Sequence, residues 1–97
     1  MKEREELINL FDIYCKLLSE KQQSYFKNYY FEDLSLSEIA DNYSVSKTIV
    51  GKTINLTENK LKEYESILHI LESKNKLIDI MNETSDEQTK EQIKGLL

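Results

Sequence analysis

The sequence predicts an all-α fold, and three observations lead there. Proline is absent and glycine occurs only at Gly51 and Gly95, so nothing forbids long helices and few hairpin turns are available. Apolar residues recur at intervals of three and four, the spacing that lines one face of a helix. Serine followed three residues later by Gln or Glu occurs at Ser19/Gln22 and Ser35/Glu38, a capping-box pattern that satisfies free amides at helix starts.

In chain order, a first helix is expected from about Glu3 to Leu18, with Leu7, Leu10, Phe11, Tyr14, Leu17 and Leu18 on one face. A second begins at Ser19 and stops near Glu32 and Asp33. It carries Tyr25, Phe26, Tyr29, Tyr30 and Phe31, whose spacing reads as a buried face with one or two hydroxyls at the surface rather than a base-stacking platform. Ser35 opens a third helix, Leu36 to about Tyr43, and Ser46 caps a fourth.

From Ser46 helical propensity runs almost unbroken to Asn82, and a seven-residue pattern appears within it. Ile54, Leu61, Leu68 and Asn75 alternate with Thr57, Tyr64, Leu71 and Ile78, the a and d positions of a coiled coil. A helix of some 35 residues would span about 50 Å, longer than so small a domain covers. Either this helix covers the first helix within one chain or its distal part pairs with a second copy through Leu61, Tyr64, Leu68, Leu71 and Ile78, and its length favours pairing. Thr84 or Ser85 is expected to cap a last short helix, with Glu87 or Gln88 at its third position. Its end, "IKGLL", either docks through Ile93, Leu96 and Leu97 or frays at Gly95. The organisation expected is a helix-turn-helix domain over residues 1–60 and a helical dimerisation and partner arm over 61–97, packed on the same core.

The segment Leu34–Ile54, "LSLSEIADNYSVSKTIVGKTI", carries the helix-turn-helix rhythm. Ile39 and Tyr43 fall where the interhelical core lies, Ala40 where the second helix crosses, Val45 under the turn, and Val50 and Ile54 on the inward side. Outward positions then go to Lys47, Thr48, Gly51, Lys52 and Asn55. Ser46 and the free amides of the helix start suit a phosphate, Lys47 and Lys52 suit phosphates or guanine edges, and Thr48 and Asn55 suit bases.

Charge bears on this. The 97 residues have a formal net charge of -5, which counts against nucleic-acid binding by bulk charge. Only the middle is not acidic: residues 35–62 hold four Lys/Arg and three Asp/Glu, against five and seven in residues 1–34 and four and eight in residues 63–97. With two lysines and no arginine on the outward face, binding to duplex DNA or structured RNA is expected to be weak.

Catalytic and metal-binding residues are not expected. His69 has no second His or Cys at ligand spacing, and no glycine-rich phosphate loop or nucleophile elbow is present. Cys15, the single cysteine, reads as a reduced core thiol. No window approaches the roughly 18 apolar residues of a membrane span, and "MKEREE" lacks a signal-peptide layout, so a cytoplasmic location without membrane insertion is expected.

The stretch Leu17–Glu72, with "LSEKQ", an aromatic second helix, "EDLSLSEIA", "VS", "TENKLKEYE" and "LHILE" in that order, resembles the YlxM-like family of small bacterial proteins. The resemblance covers a little over half of the chain. It implies a helix-turn-helix similar to region four of sigma factors, a long carboxy-terminal helix and a regulatory, DNA-binding role without cofactors. It also implies a link to the signal recognition particle pathway, which rests on gene neighbourhood. The sequence departs from the family at the turn, where Ser44 stands for glycine, and after "VS", where Lys47 and Thr48 stand for Arg and Gln. A second class remains open: a protein-interaction module that contacts the particle's GTPase or its RNA complex, with the helix-turn-helix as scaffold.

Overall fold

A computed structural model describes residues 2–97. Its helices are α1 (Lys2–Tyr14), α2 (Glu20–Tyr30), α3 (Leu36–Tyr43), α4 (Lys47–Leu68), α5 (Ile70–Glu83) and α6 (Glu87–Leu96), with a short 3₁₀ turn, Cys15–Leu17, after α1. No strand occurs among the described residues. Helix α4 is the spine, because α1, α2 and α3 all pack against it.

The core forms where the amphipathic faces meet. Leu7, Leu10, Phe11 and Tyr14 of α1, Tyr25, Phe26 and Tyr30 of α2, Ile39 and Ala40 of α3, and Val50, Ile54 and Leu61 of α4 are buried in one cluster. The rings of Phe11 and Phe26 stack at 4.3 Å, and Tyr30 stacks on the same Phe26 at 4.3 Å. The aromatic helix is thus core, as its spacing predicts, except that Phe31 lies half exposed beyond the end of α2. Both predicted capping boxes form. Gln22 N donates to Ser19 Oγ at 3.2 Å and Ser19 N to Gln22 Oε1 at 2.9 Å, and Ser35 and Glu38 repeat the exchange at 3.1 Å in both directions.

The first helix ends earlier than its apolar spacing indicates. Its last turn tightens to the 3₁₀ form, in which three residues rather than 3.6 complete a turn. Leu17 rotates away from the core and is 57% exposed, while Leu18, in extended conformation, is buried. Cys15 lies half buried against the core.

The continuous helix expected from Ser46 to Asn82 does not form. His69 adopts a left-handed backbone, φ 52° and ψ 31°, and divides it into α4 and α5. A left-handed conformation costs a non-glycine residue about 1 kcal/mol or more. The compensation is a carboxylate clamp. Glu65 Oε1 accepts from the Tyr14 hydroxyl at 2.7 Å and from Leu71 N at 3.0 Å, and Oε2 accepts from Glu72 N at 3.0 Å. The Tyr14 hydroxyl in turn accepts from Ile70 N at 3.3 Å. A side chain of α4 and one of α1 thus cap the amides of α5 that its own N-cap, His69, leaves free. Beyond the elbow, Glu72 pairs with His69 at 3.0 Å and with Lys76 at 3.2 Å, and Lys76 first, then His69, holds its carboxyl below the usual range.

The elbow redirects the heptad stripe into the chain's own core. Leu61 is fully covered by its own chain and therefore has no surface to offer a second copy. Tyr64 packs on Tyr14, ring centroids 5.9 Å apart, and Leu71 is half buried against the same core. Of the five residues assigned to an interchain seam, Leu68 is half exposed and Ile78 half buried. Thr57, polar at a d position, is completely buried; its hydroxyl donates to Thr53 O at 2.7 Å, within its own helix.

The cap of α6 falls one residue after the candidate Ser85 and two after Thr84. Asp86 is the cap, its carboxylate accepting from Gln88 N at 3.0 Å and the Thr89 hydroxyl at 2.8 Å, while Thr84 Oγ1 accepts from Asp86 N at 3.2 Å. A charged acceptor bonds a helix amide more strongly than a hydroxyl does. The last helix docks through Ile93, which is buried, and runs through Gly95 with Leu96 and Leu97 largely exposed.

Two of the buried tyrosines, Tyr14 and Tyr30, set a pH limit on this core. Burial, then the bond to Glu65, pushes the Tyr14 phenol up; burial, then the bond to Glu58, pushes Tyr30 well above the ordinary phenol range. Tyrosine in the unfolded chain ionises near pH 10. Because both folded values are raised, the stability these phenols contribute is complete below that pH and is lost as the pH rises through the folded values. An ultraviolet phenolate titration is expected to find Tyr14 and Tyr30 still un-ionised above the ordinary phenol range, released only as the helical signal collapses. Six tyrosines ionising together near pH 10 with helicity intact would contradict the packing described.

Candidate nucleic-acid interface

Helices α3 and α4 meet in a tight turn, Ser44–Ser46. Ser44 is left-handed, φ 55° and ψ 44°. The turn thus has the shape for which glycine is the usual residue, and serine holds it at a conformational cost of about 1 kcal/mol. Val45 N donates back to Ala40 O at 3.0 Å, which closes the end of α3. Ile39 is completely buried, Ala40 is buried where α4 crosses, and Val45 packs half buried under the turn, as the spacing predicts. Tyr43 departs from it: the side chain is 42% exposed, lying edge-on to Tyr25 at 4.9 Å, with its hydroxyl accepting from Asn28 Nδ2 at 3.0 Å.

Ser46 caps α4 by accepting from Ile49 N at 3.1 Å. Val50, Ile54, Thr57 and Leu61 form the buried stripe of the helix, spaced at three and four residues. With 3.6 residues per turn, Lys52 lies opposite that stripe, Thr48 and Asn55 on one flank, and Ile49 and Leu56 on the other. Lys47, Thr48, Lys52 and Asn55 are all exposed. Gly51 is not part of that face. It lies on the side turned toward α3, where an added Cβ would meet Leu36 Cδ1 at 3.6 Å.

Ile49 and Leu56 were not among the sequence-predicted contacts, and each is 51% exposed on the outward side. Apolar periodicity alone assigns such residues to a core. Their exposure could be anticipated only by measuring each against the stripe Val50–Ile54, which already fills the inward side.

Electrostatically this face is unlike the rest of the chain. Between Ser46 and Thr57 no Asp or Glu occurs, although the protein has 18. The other five α-helices each carry an acid in the first turn; α4 has none. Its first turn therefore leaves the positive end of the helix dipole unneutralised. Among the described residues neither Lys47 nor Lys52 makes an ion pair, whereas Lys62, Lys76, Lys90 and Lys94 do. Glu58, the next acid along α4, is turned away and bonded to the Tyr30 hydroxyl.

A tight turn between a short and a long helix, with an acid-free outward face, defines a helix-turn-helix protein. The family described as "Putative helix-turn-helix protein, YlxM / p13 like" matches residues 1–96, and the chain belongs to it. Relatives include a "Probable UPF0122 protein" of Mycoplasma mycoides, 45% identical over 93 residues that cover 94% of this chain and 82% of the relative. A UPF0122 protein of Halalkalibacterium halodurans is 41% identical, covering 91% of this chain and 84% of the relative. One from Shouchella clausii is 54% identical over 63 residues, covering 65% of this chain and 58% of the relative.

The position of Gly51 yields a prediction. A methyl at 3.6 Å from Leu36 makes an ordinary van der Waals contact, and alanine favours a helix interior over glycine by about 1 kcal/mol. Gly51→Ala is expected to raise Tm by about 4–8 °C in a thermal melt. A lowered Tm would show that α3 and α4 are packed more tightly than described.

Proposed function

We propose that this protein is a non-enzymatic regulator that binds duplex nucleic acid through the outward face of α4, with Ser46, Lys47, Thr48, Lys52 and Asn55 in contact. The observation that carries this reading is the acid-free stretch Ser46–Thr57 with two unpaired lysines, set on the second helix of a helix-turn-helix in a chain of net charge -5. Phosphates meet Lys47, Lys52 and the free amides of the α4 amino terminus; bases meet the side chains further along the face. Two lysines release few counterions, so one copy binds weakly and with a shallow salt dependence, and pairing of two copies doubles the cations. The arm of residues 61–97 serves that pairing, through Leu68 and the exposed neighbours Ile67 and Ile70.

A second reading, an interaction module acting in the signal recognition particle pathway, is favoured by a different surface. Ile13, Leu68, Ile70, Leu77, Leu96 and Leu97 line a groove of about 370 Å³. It sits in the segment richest in net negative charge. Its polar lining is Ser73 and Lys74, and the acids of the surrounding segment suit a basic partner such as the particle's GTPase or its RNA-bound complex.

Binding of the full chain to duplex DNA, followed against salt, tests the first reading. The joint substitution Lys47→Ala, Lys52→Ala is expected to abolish measurable binding at physiological salt and to flatten the salt slope by about 2 per copy. A Kd insensitive to salt, or unchanged in the variant, would remove the mechanism.

Sedimentation at micromolar concentration tests the arm. A dimer that Leu68→Asp converts to monomer with helicity intact is expected, and a strict wild-type monomer excludes the pairing. Addition of the particle's purified GTPase to the same run decides the second reading by co-sedimentation.

A further inference from the structure

On the reading that α4 binds duplex nucleic acid, we propose that its target is DNA read at A·T base pairs, with Ile49 packing on the C5-methyl group of a thymine and Asn55 bonding an adenine. Ile49 is 51% exposed in the first turn of α4, the part of a recognition helix that reaches base edges. Leu56, seven residues on and equally exposed, continues the same flank. About half of each residue's surface faces water in the free chain.

The composition of the face selects among base edges. In the major groove adenine presents N7 and N6 to an Asn or Gln amide, and thymine presents a methyl group to an apolar side chain. Guanine is read bidentately by Arg or Lys, and cytosine N4 by Asp or Glu. Between Ser46 and Thr57 there is no arginine and no carboxylate, while Asn55, Thr48 and Ile49 supply the adenine and thymine partners. Lys47 at the helix start and Lys52 beside the flank are left for phosphates.

RNA offers neither half of this chemistry. Its A-form major groove is too deep and narrow for a helix to enter, and uracil has no C5-methyl. A protein partner is also disfavoured, because Ile49 and Leu56 are separated by Lys52 on a convex helix, whereas the centres of protein interfaces are depleted of lysine.

The full chain is used to select from a randomised duplex DNA library, and the best-bound duplex is remade with deoxyuridine in place of each thymidine in turn, which deletes one methyl group. Selected sites are expected to share an A·T step, and one substitution is expected to weaken the wild type about threefold to fivefold. Ile49→Ala, which favours a helix and truncates a side chain that is 51% exposed, is expected to weaken binding similarly and to become indifferent to that deoxyuridine. Selection of a G·C-centred site, indifference of the wild type to every deoxyuridine, tighter binding to structured RNA, or unaltered deoxyuridine sensitivity in Ile49→Ala would each overturn the proposal. Salt-dependent binding to all duplexes alike overturns it and leaves the proposed function standing. Absence of nucleic-acid binding overturns both.

Discussion

The architecture depends on one stripe of α4: Val50, Ile54, Thr57 and Leu61, all buried. Three helices close on it, so the same helix is both the spine of the core and the second element of the helix-turn-helix. Burying a side chain such as Val, Ile or Leu stabilises by about 1.5–3 kcal/mol. Rotation of α4 by half a turn would exchange that gain for an exposed core and bury Lys52. The inward stripe thereby sets what α4 shows to solvent, and it does so on a rigid element rather than a loop, which keeps the polar face in one geometry.

At the far end of the same helix a second constraint takes over. The Glu65 carboxylate holds the Tyr14 hydroxyl and two amides of α5, so the chain bends where its propensity would continue straight. Hydrogen bonds to a charged acceptor contribute about 1.5–3 kcal/mol, enough to outweigh a left-handed His69. The bend brings Leu71 onto α1 and leaves Leu68, Ile70 and Leu77 along the groove that Leu96 and Leu97 complete. One helix end is kept polar and free of acids; the other gathers apolar and acidic groups.

What could be read from the sequence follows the range of the interactions. Ser19 with Gln22 and Ser35 with Glu38 act over three residues, so composition and spacing reveal them, and the apolar positions of the turn are equally local. The elbow was illegible because its cause joins Tyr14 to Glu65, 51 residues away, while the local signal, an uninterrupted helical and heptad pattern, points the other way. A pattern of apolar residues reports that a face is covered without saying by which part of the chain. That is why Leu61 and Tyr64 pack internally. The candidate site was read in part: Thr48, Lys52 and Asn55 project outward as their offset from Val50 requires, while Lys47, only about 60° round from Val50, is exposed because it stands at the start of α4. Gly51 is turned to Leu36, and Ile49 and Leu56 escaped notice because an apolar residue signals burial until the buried side of the helix is known to be full.

Net charge and site charge have different consequences here. Helix α4 rises about 1.5 Å per residue, which puts Lys52 about 25 Å from the elbow at His69. That is about three Debye lengths at physiological salt, so the acids beyond the elbow hardly oppose a phosphate held at Lys52. On the proposed reading, the chain's net charge lowers association rate and bulk affinity, while the acid-free stretch Ser46–Thr57 favours an approach that brings Ser46–Asn55 to the groove. With so little affinity from phosphates, what remains must come from the base-facing side chains or from a second copy.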